Sequence, residues 1–228
     1  MHSIGSTTYS SWSKSMKTQS LLHAQWLQIR ERLRAKQLLV SPDASLSLRI
    51  PNSDSMWFGS ISDAEPSCRS WNGALASNFS ANTHATIYHH RQDVGAIAVG
   101  GGAFGLRLAD FGGVMPGVFD EQVRHLGCMG SATDELGGVA RSVKDGGNVF
   151  LVRGQAVCLG MTGSRLALNA ELFEKCAKAY VLAAATGGRV KPLPWIVRFV
   201  ANRRLMKDER RAGERFQRGL LPEESKGY

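Results

Sequence analysis

The run VGAIAVGGGAFG, Val94 to Gly105, carries Gly100, Gly102 and Gly105 in the spacing G-x-G-x-x-G, with Asp120 twenty positions beyond the first glycine. That is the spacing of a turn that brings backbone amides to a dinucleotide pyrophosphate. A second group is Glu121 and His125, four apart in DEQVRHL and so on one face of a helix. They could act as acid and base, hold an ion between them, or form a surface ion pair, the commonest outcome of this spacing. His89 and His90 are adjacent, point about 100° apart on a helix, and cannot share one ion. His84 reads as a hydrogen-bonded structural histidine.

The nucleotide reading fails on context. A dinucleotide fold needs a helix of about three turns after the glycines, then a buried strand ending in the acid. Only LRLADF separates Gly105 from Gly112, and Pro116 interrupts the stretch before Asp120. No Gly-Lys-Ser/Thr closes the loop as a phosphate loop would require. No nucleotide cofactor is expected there.

Composition bounds the remaining classes. The chain has 228 residues, 43% of them hydrophobic and 21% charged, which suits one large domain with a substantial core. Four widely spaced cysteines without a C-x-x-C pair fit free thiols in a reducing compartment, and a cytosolic protein is expected. The net charge of +9 is concentrated: ten Lys or Arg against three acids between Arg189 and Arg218 give that segment +7. Such a segment suits a solvated helix face, an acidic neighbour, nucleic acid or an anionic membrane.

Periodicity supplies the elements. Leu22, Trp26, Ile29 and Leu33 predict a helix over Ser20 to Leu39, with residues 1–19 as a flexible tail. SLSLRI and SMWFGSI, joined by Pro51 to Asp54, predict a hairpin, and Asn82 to Arg91 a helix. VGAIAV predicts a buried strand. Asp120 is placed to cap DEQVRHL, and Gly127 to end it. NVFLVRGQAVCLG predicts two strands joined at Gly154-Gln155. A long helix follows from Thr162 or Ser164 to Thr186, and a basic one from Trp195. The expected layout is one domain over 20–218, with a C-terminal tail at 219–228.

Four segments in order resemble the class II aldolase/adducin family, from about Leu21 to about Arg211: SLSLRIP, THATIYHHRQDVGAIAVGGGAFGLRLA, MPGVFDEQVRHLG, and NVFLVRGQAVCLG with LALNAELFEKCAKAYVLA. The resemblance implies a three-layer α/β/α fold with a central, mostly antiparallel sheet. It also implies a homo-oligomer, usually a cyclic tetramer with its site between subunits. The family's enzymes use three histidines to hold a divalent ion that polarises a carbonyl, and a glutamate for proton transfer. With His84 and Tyr88 placed on the family's His and Tyr, that glutamate falls on Ser80. The H-x-H pair falls on Val99 and Gly101, the third histidine on Gly154, and a phosphate-binding Gly-Asn pair on Ala44-Ser45.

Val and Gly offer an ion no side-chain donor, and Ser80 is no carboxylate base. The resemblance therefore implies a degenerate member without metal or other cofactor: a ligand-binding, regulatory or structural protein. Arg49, Asn78, Ser80 and Arg153 are the residues expected at the old site, where the arginines could pair with a small anion in bidentate fashion. The alternative is a lyase acting on a small anionic carbonyl compound, with Glu121 and His125 as acid and base.

Overall fold

The computed structural model describes residues 6–72, 78–144 and 147–224. The ends of both expected tails, residues 1–5 and 225–228, lie outside them. The chain opens on α1 (Ser6–Ala35), fourteen residues earlier than the apolar stripe alone indicates. Much of the segment expected as a flexible tail is thus helical. The stripe itself is as expected: Leu22, Trp26, Ile29 and Leu33 are buried, and Trp26 Nε1 donates to the Leu46 carbonyl at 2.9 Å.

Then come β1 (Ser45–Ile50), β2 (Ser55–Ser60), β3 (Ser67–Ser70), α2 (Phe79–His90) and β4 (Ala96–Gly100). The short helices α3 (Ala103–Arg107), α4 (Asp120–Leu126) and α5 (Leu136–Ser142) lead to β5 (Val149–Val152) and β6 (Gln155–Gly160). Two long helices, α6 (Gly163–Ala185) and α7 (Trp195–Gln217), follow. The six strands pair antiparallel in the order β3-β2-β1-β4-β6-β5. The turn of the last hairpin is Arg153-Gly154, one residue before the expected junction, and both residues have positive φ. That is the handedness a two-residue hairpin turn requires.

Two apolar clusters fill the two faces of the sheet, which makes three layers. Leu46, Leu48, Ala98, Leu151 and Cys158 face α1 and α6. Phe58, Ile97, Val99, Phe150 and Val157 face α2 and α5. β1 departs from simple alternation: all six of its residues are buried. Its polar set, Ser45, Ser47 and Arg49, faces α2 rather than water.

The glycine loop has an internal occupant. α3 is only five residues long, and Glu174 of α6 sits at its start. The Glu174 carboxylate accepts from the amides of Phe104 (2.7 Å) and Gly105 (2.9 Å). A Cβ on Gly102 would lie 2.5 Å from the Glu174 carboxyl carbon, and one on Gly105 would lie 2.7 Å from the Phe173 ring. Two of the glycines therefore admit α6 and its carboxylate. Gly100, with φ +147, would bring a Cβ within 2.8 Å of Ala44. Asp120 is the first residue of α4 rather than its cap. The amides of Val118 and Phe119 donate instead to Gln122 Oε1.

Because one carboxylate and one missing side chain share this space, Gly102→Ala and Glu174→Ala should be coupled. Each single change is expected to cost about 1–3 kcal/mol. The double change should cost clearly less than the sum, as read by urea denaturation of all four proteins. Additive effects would show that the glycine and the carboxylate act independently.

Candidate functional site

α2 begins at Asn78, whose Oδ1 accepts from the Ala81 amide at 2.9 Å. This cap replaces the later start expected at Asn82. It turns the first residues of α2 toward a cleft of about 570 Å3 between that helix and one end of the sheet. Asn78, Ser80 and Arg153 all line it, together with Val99, Ser45 and Arg69. Three of the four residues expected to bind a ligand are thus brought together.

The floor of the cleft is a chain of hydrogen bonds. Ser80 Oγ lies 2.5 Å from Ser45 Oγ, which is 2.9 Å from His84 Nε2. His84 Nδ1 is 2.7 Å from Ser47 Oγ, which is 2.9 Å from the Tyr88 hydroxyl. Ser80, His84 and Tyr88 stand four apart on α2, while Ser45 and Ser47 stand two apart on β1, so the helix and strand periods match. Complete burial pushes the His84 imidazole down to about 3. A general base near neutral pH needs a value near the working pH. His84 falls far short, so it is a neutral connector. One serine donates to its ring and the other accepts from it.

The walls carry cations on aromatic shelves. The Arg153 guanidinium sits 3.5 Å from the centroid of the Phe79 ring, and its Nε donates to the Asp134 carbonyl. The Arg69 guanidinium sits 4.8 Å from the Phe58 ring, and its Nε donates to Ser67 Oγ. The terminal nitrogens of both arginines make no hydrogen bond to the described residues. Asp43 and Asp63 also line the cleft, and Asp63 accepts from the Ser60 amide. Nothing in the sequence reading pointed to Arg69: SCRS is a short edge strand without a motif, and only pairing with β2 brings it here.

Arg49 does not join this group. It is buried between α2 and α7 and donates to the carbonyls of Tyr88 (3.0 Å) and Gln92 (2.8 Å). It also lies about 5 Å from the rings of Trp71, Tyr88 and Phe216. Burial pulls its guanidinium below the ordinary value. Its donors are spent on backbone, so it is a structural cation rather than a ligand anchor.

Glu121 and His125 lie on α4, which packs on α6 and α7 away from the cleft. Glu121 reaches Lys175 at 3.3 Å, and His125 Nδ1 accepts from Arg165 at 3.1 Å. Burial, then Arg165 and Arg124, lower the His125 imidazole. Neither residue faces the other groups a reaction in the cleft would use.

The positions where the resemblance places metal ligands do not fit an ion. Val99 lines the cleft, and Gly154 stands between the lining residues Arg153 and Gln155. Gly101 turns aside: at φ +90, a Cβ there would lie 2.8 Å from that of Ala156. A histidine at Gly101 would need the backbone to move. His84, the histidine nearest these positions, already uses both ring nitrogens. Among the described residues, no group of three or more His, Cys, Asp or Glu is placed to hold an ion.

No family model matches the chain, and no curated protein matches it by sequence. Solved structures do match it. An L-fuculose 1-phosphate aldolase superposes with a TM-score of 0.69 at 16% identity, covering 82% of this chain and 97% of that one. The L-fuculose 1-phosphate aldolase of Glaciozyma antarctica gives 0.66 at 14%, covering 89% and 92%. YgbL of Escherichia coli, a putative aldolase/epimerase/decarboxylase, gives 0.64 at 15%, covering 81% and 99%. The fold of this chain is therefore class II aldolase-like: α/β, with a central antiparallel sheet between helical layers.

The neutral His84 makes stability depend on acid. Its folded value of about 3 lies below the ordinary 6.5, so the unfolded chain binds a proton that the folded chain excludes. This contribution is complete above about pH 6.5 and is lost as pH falls toward 3. Between pH 6.5 and 5 it should remove about 2 kcal/mol. Urea denaturation at both pH values should show that loss in the native chain and a flatter dependence in His84→Asn and His84→Gln. An unchanged slope in both variants would assign the acid sensitivity elsewhere.

Proposed function

We propose that this chain is a class II aldolase-like protein that has lost the catalytic metal site, and that its cleft binds a small anionic ligand without metal-dependent chemistry. Its role in this reading is ligand-binding or regulatory. The observation that carries the proposal is the content of the cleft. Two guanidinium groups, Arg69 and Arg153, present unspent donors there. The ligand positions implied by resemblance carry Val99, Gly101 and Gly154.

Physical chemistry supports the pairing of these facts. A guanidinium stacked on a ring keeps its edge free for an oxyanion and holds that edge in a fixed orientation. The serine hydroxyls of Ser45 and Ser80 can hydrogen-bond the rest of the ligand. The start of α2 adds amides that favour negative charge. The lyase alternative would need an acid and a base at the cleft. Glu121 and His125 are engaged elsewhere, on Lys175 and Arg165.

Two measurements on the purified chain test this reading. Elemental analysis after dialysis is expected to find zinc, manganese, iron and cobalt far below one ion per chain. Titration with inorganic phosphate and with sugar phosphates, followed by calorimetry, is expected to show saturable binding. Arg153→Ala and Arg69→Ala should each weaken that binding about tenfold or more, as loss of a charge-assisted hydrogen bond predicts. One tightly held ion per chain would overturn the loss of the metal site. Binding unchanged in both arginine variants would overturn the anion site.

A further inference from the structure

α7 is buried along one side only, through Ala201, Leu205, Glu209, Ala212 and Phe216. At its N-terminal end, beside α4, the described residues leave large apolar side chains partly uncovered. Trp195, Ile196, Phe199 and Val200 are each at least half exposed. The opposite, outward stripe runs at helical spacing through Ile196, Phe199, Val200, Arg203, Lys207 and Arg210. It is apolar for two turns and cationic afterwards.

The charges behind the apolar end are unspent. Arg203, Arg204, Lys207 and Arg210 form no ion pair with the described residues, and Arg211 meets only Asp208, at 3.9 Å. Arg203 lies 5.6 Å from the Phe199 ring, which joins the cationic and apolar parts of the stripe. A few isolated apolar side chains on a surface need no explanation, but a contiguous cluster does. Here the cluster ends in an indole and a phenyl ring, with guanidinium groups one turn behind.

We propose that this end of α7 docks on an anionic lipid surface. Trp195, Ile196 and Phe199 enter the boundary between headgroups and acyl chains, and Arg203, Lys207 and Arg210 meet the headgroup phosphates and carboxylates. The argument is charge complementarity combined with depth. An amphipathic helix lies in a bilayer interface when its apolar residues reach inward and its cations stay at headgroup level. A second copy of the chain meeting this face with its own α7 would bring like charges together. The helix lies across the surface without spanning it: among the described residues, no helix is long and apolar enough to cross a membrane.

The test is flotation of the full chain with vesicles of phosphatidylcholine containing phosphatidylserine, beside vesicles of phosphatidylcholine alone. Binding is expected only to the anionic vesicles, strong at low salt and reduced as salt screens the cations. Ile196→Ser with Phe199→Ser should weaken it at least about tenfold. Arg203→Ala with Lys207→Ala should weaken it on the order of twentyfold. All four substituted side chains are exposed, so circular dichroism should match the native chain. The proposal is overturned by no binding at low salt, by equal binding to neutral vesicles, or by variants that bind unchanged. Sedimentation analysis in which Ile196→Ser with Phe199→Ser splits a larger assembly into smaller ones would assign the face to a second copy. Tighter binding to single-stranded RNA than to vesicles would assign it to nucleic acid.

Discussion

Strand β1 and helix α2 are joined by polar groups, and the site depends on that joint. Ser45, Ser47 and Arg49 alternate along the inner face of the strand. Ser80, His84 and Tyr88 recur every four residues on the helix. Ser45 and Ser47 each meet two successive helix residues, Ser45 bonding Ser80 and His84 and Ser47 bonding His84 and Tyr88, while Arg49 donates to the carbonyl of Tyr88. Buried polar groups are costly when unpaired and near neutral when fully paired. A one-residue slip of β1 would turn all three polar side chains onto the apolar α1 and α6 side. The pairing therefore specifies register, and register places Ser45 and Ser80 at the cleft.

The chain handles negative charge in two different ways at the two ends of this region. At the glycine loop, the amides of Phe104 and Gly105 already hold an anion, the carboxylate of Glu174. The resemblance of that loop to a phosphate cradle thus has a physical basis, because the same unpaired amides at a helix start favour either group. Gly102 and Gly105 make room for α6 instead of a nucleotide. At the cleft, no carboxylate of the described residues spends the donors at the start of α2 or the terminal nitrogens of the stacked Arg69 and Arg153. The first set of donors is taken by the protein itself, and the second is not taken by any described residue.

The hairpins and the long helices were legible in the sequence, because hydrophobic periods of two and of three to four set them directly, and the layered α/β/α plan followed from the resemblance. Side-chain exposure was not. SLSLRI alternates apolar and polar, and nothing local tells that its polar face is turned inward. For that reason Arg49, a plausible anion anchor by residue type, proves to be a buried structural cation among carbonyls and rings. Arg153 was legible because it stands in a hairpin turn beside a position fixed by resemblance. Arg69 was not, since its place follows only from the pairing of β3 with β2. Glu121 and His125 share a helix face as their spacing requires, but their partners, Lys175 and Arg165, come from α6. The early start of α1 was missed because its first turns are rich in Ser, Thr and Lys, with only Tyr9, Trp12 and Met16 among them.

The joint between β1 and α2 does not use the positions where the resemblance places metal ligands. The residues that hold β1 against α2 are different from the three at the metal-ligand positions implied by the resemblance, and their bonds join the sheet to the helical layer. Val99 lines the cleft from within the apolar cluster, and among the described residues nothing lies within 4 Å of where a side chain on Gly154 would begin. Both positions matter to stability: Val99 belongs to the apolar cluster, and Gly154 takes a positive φ that disfavours a side chain. Gly101 differs. Its positive φ and the nearness of Ala156 make the glycine a packing choice that commits β4 and β6 to close approach. Once that approach is made, a larger side chain cannot be placed there without moving the strands. A side chain at Gly154 would meet backbone strain alone, whereas one at Gly101 would meet both strain and the Ala156 side chain.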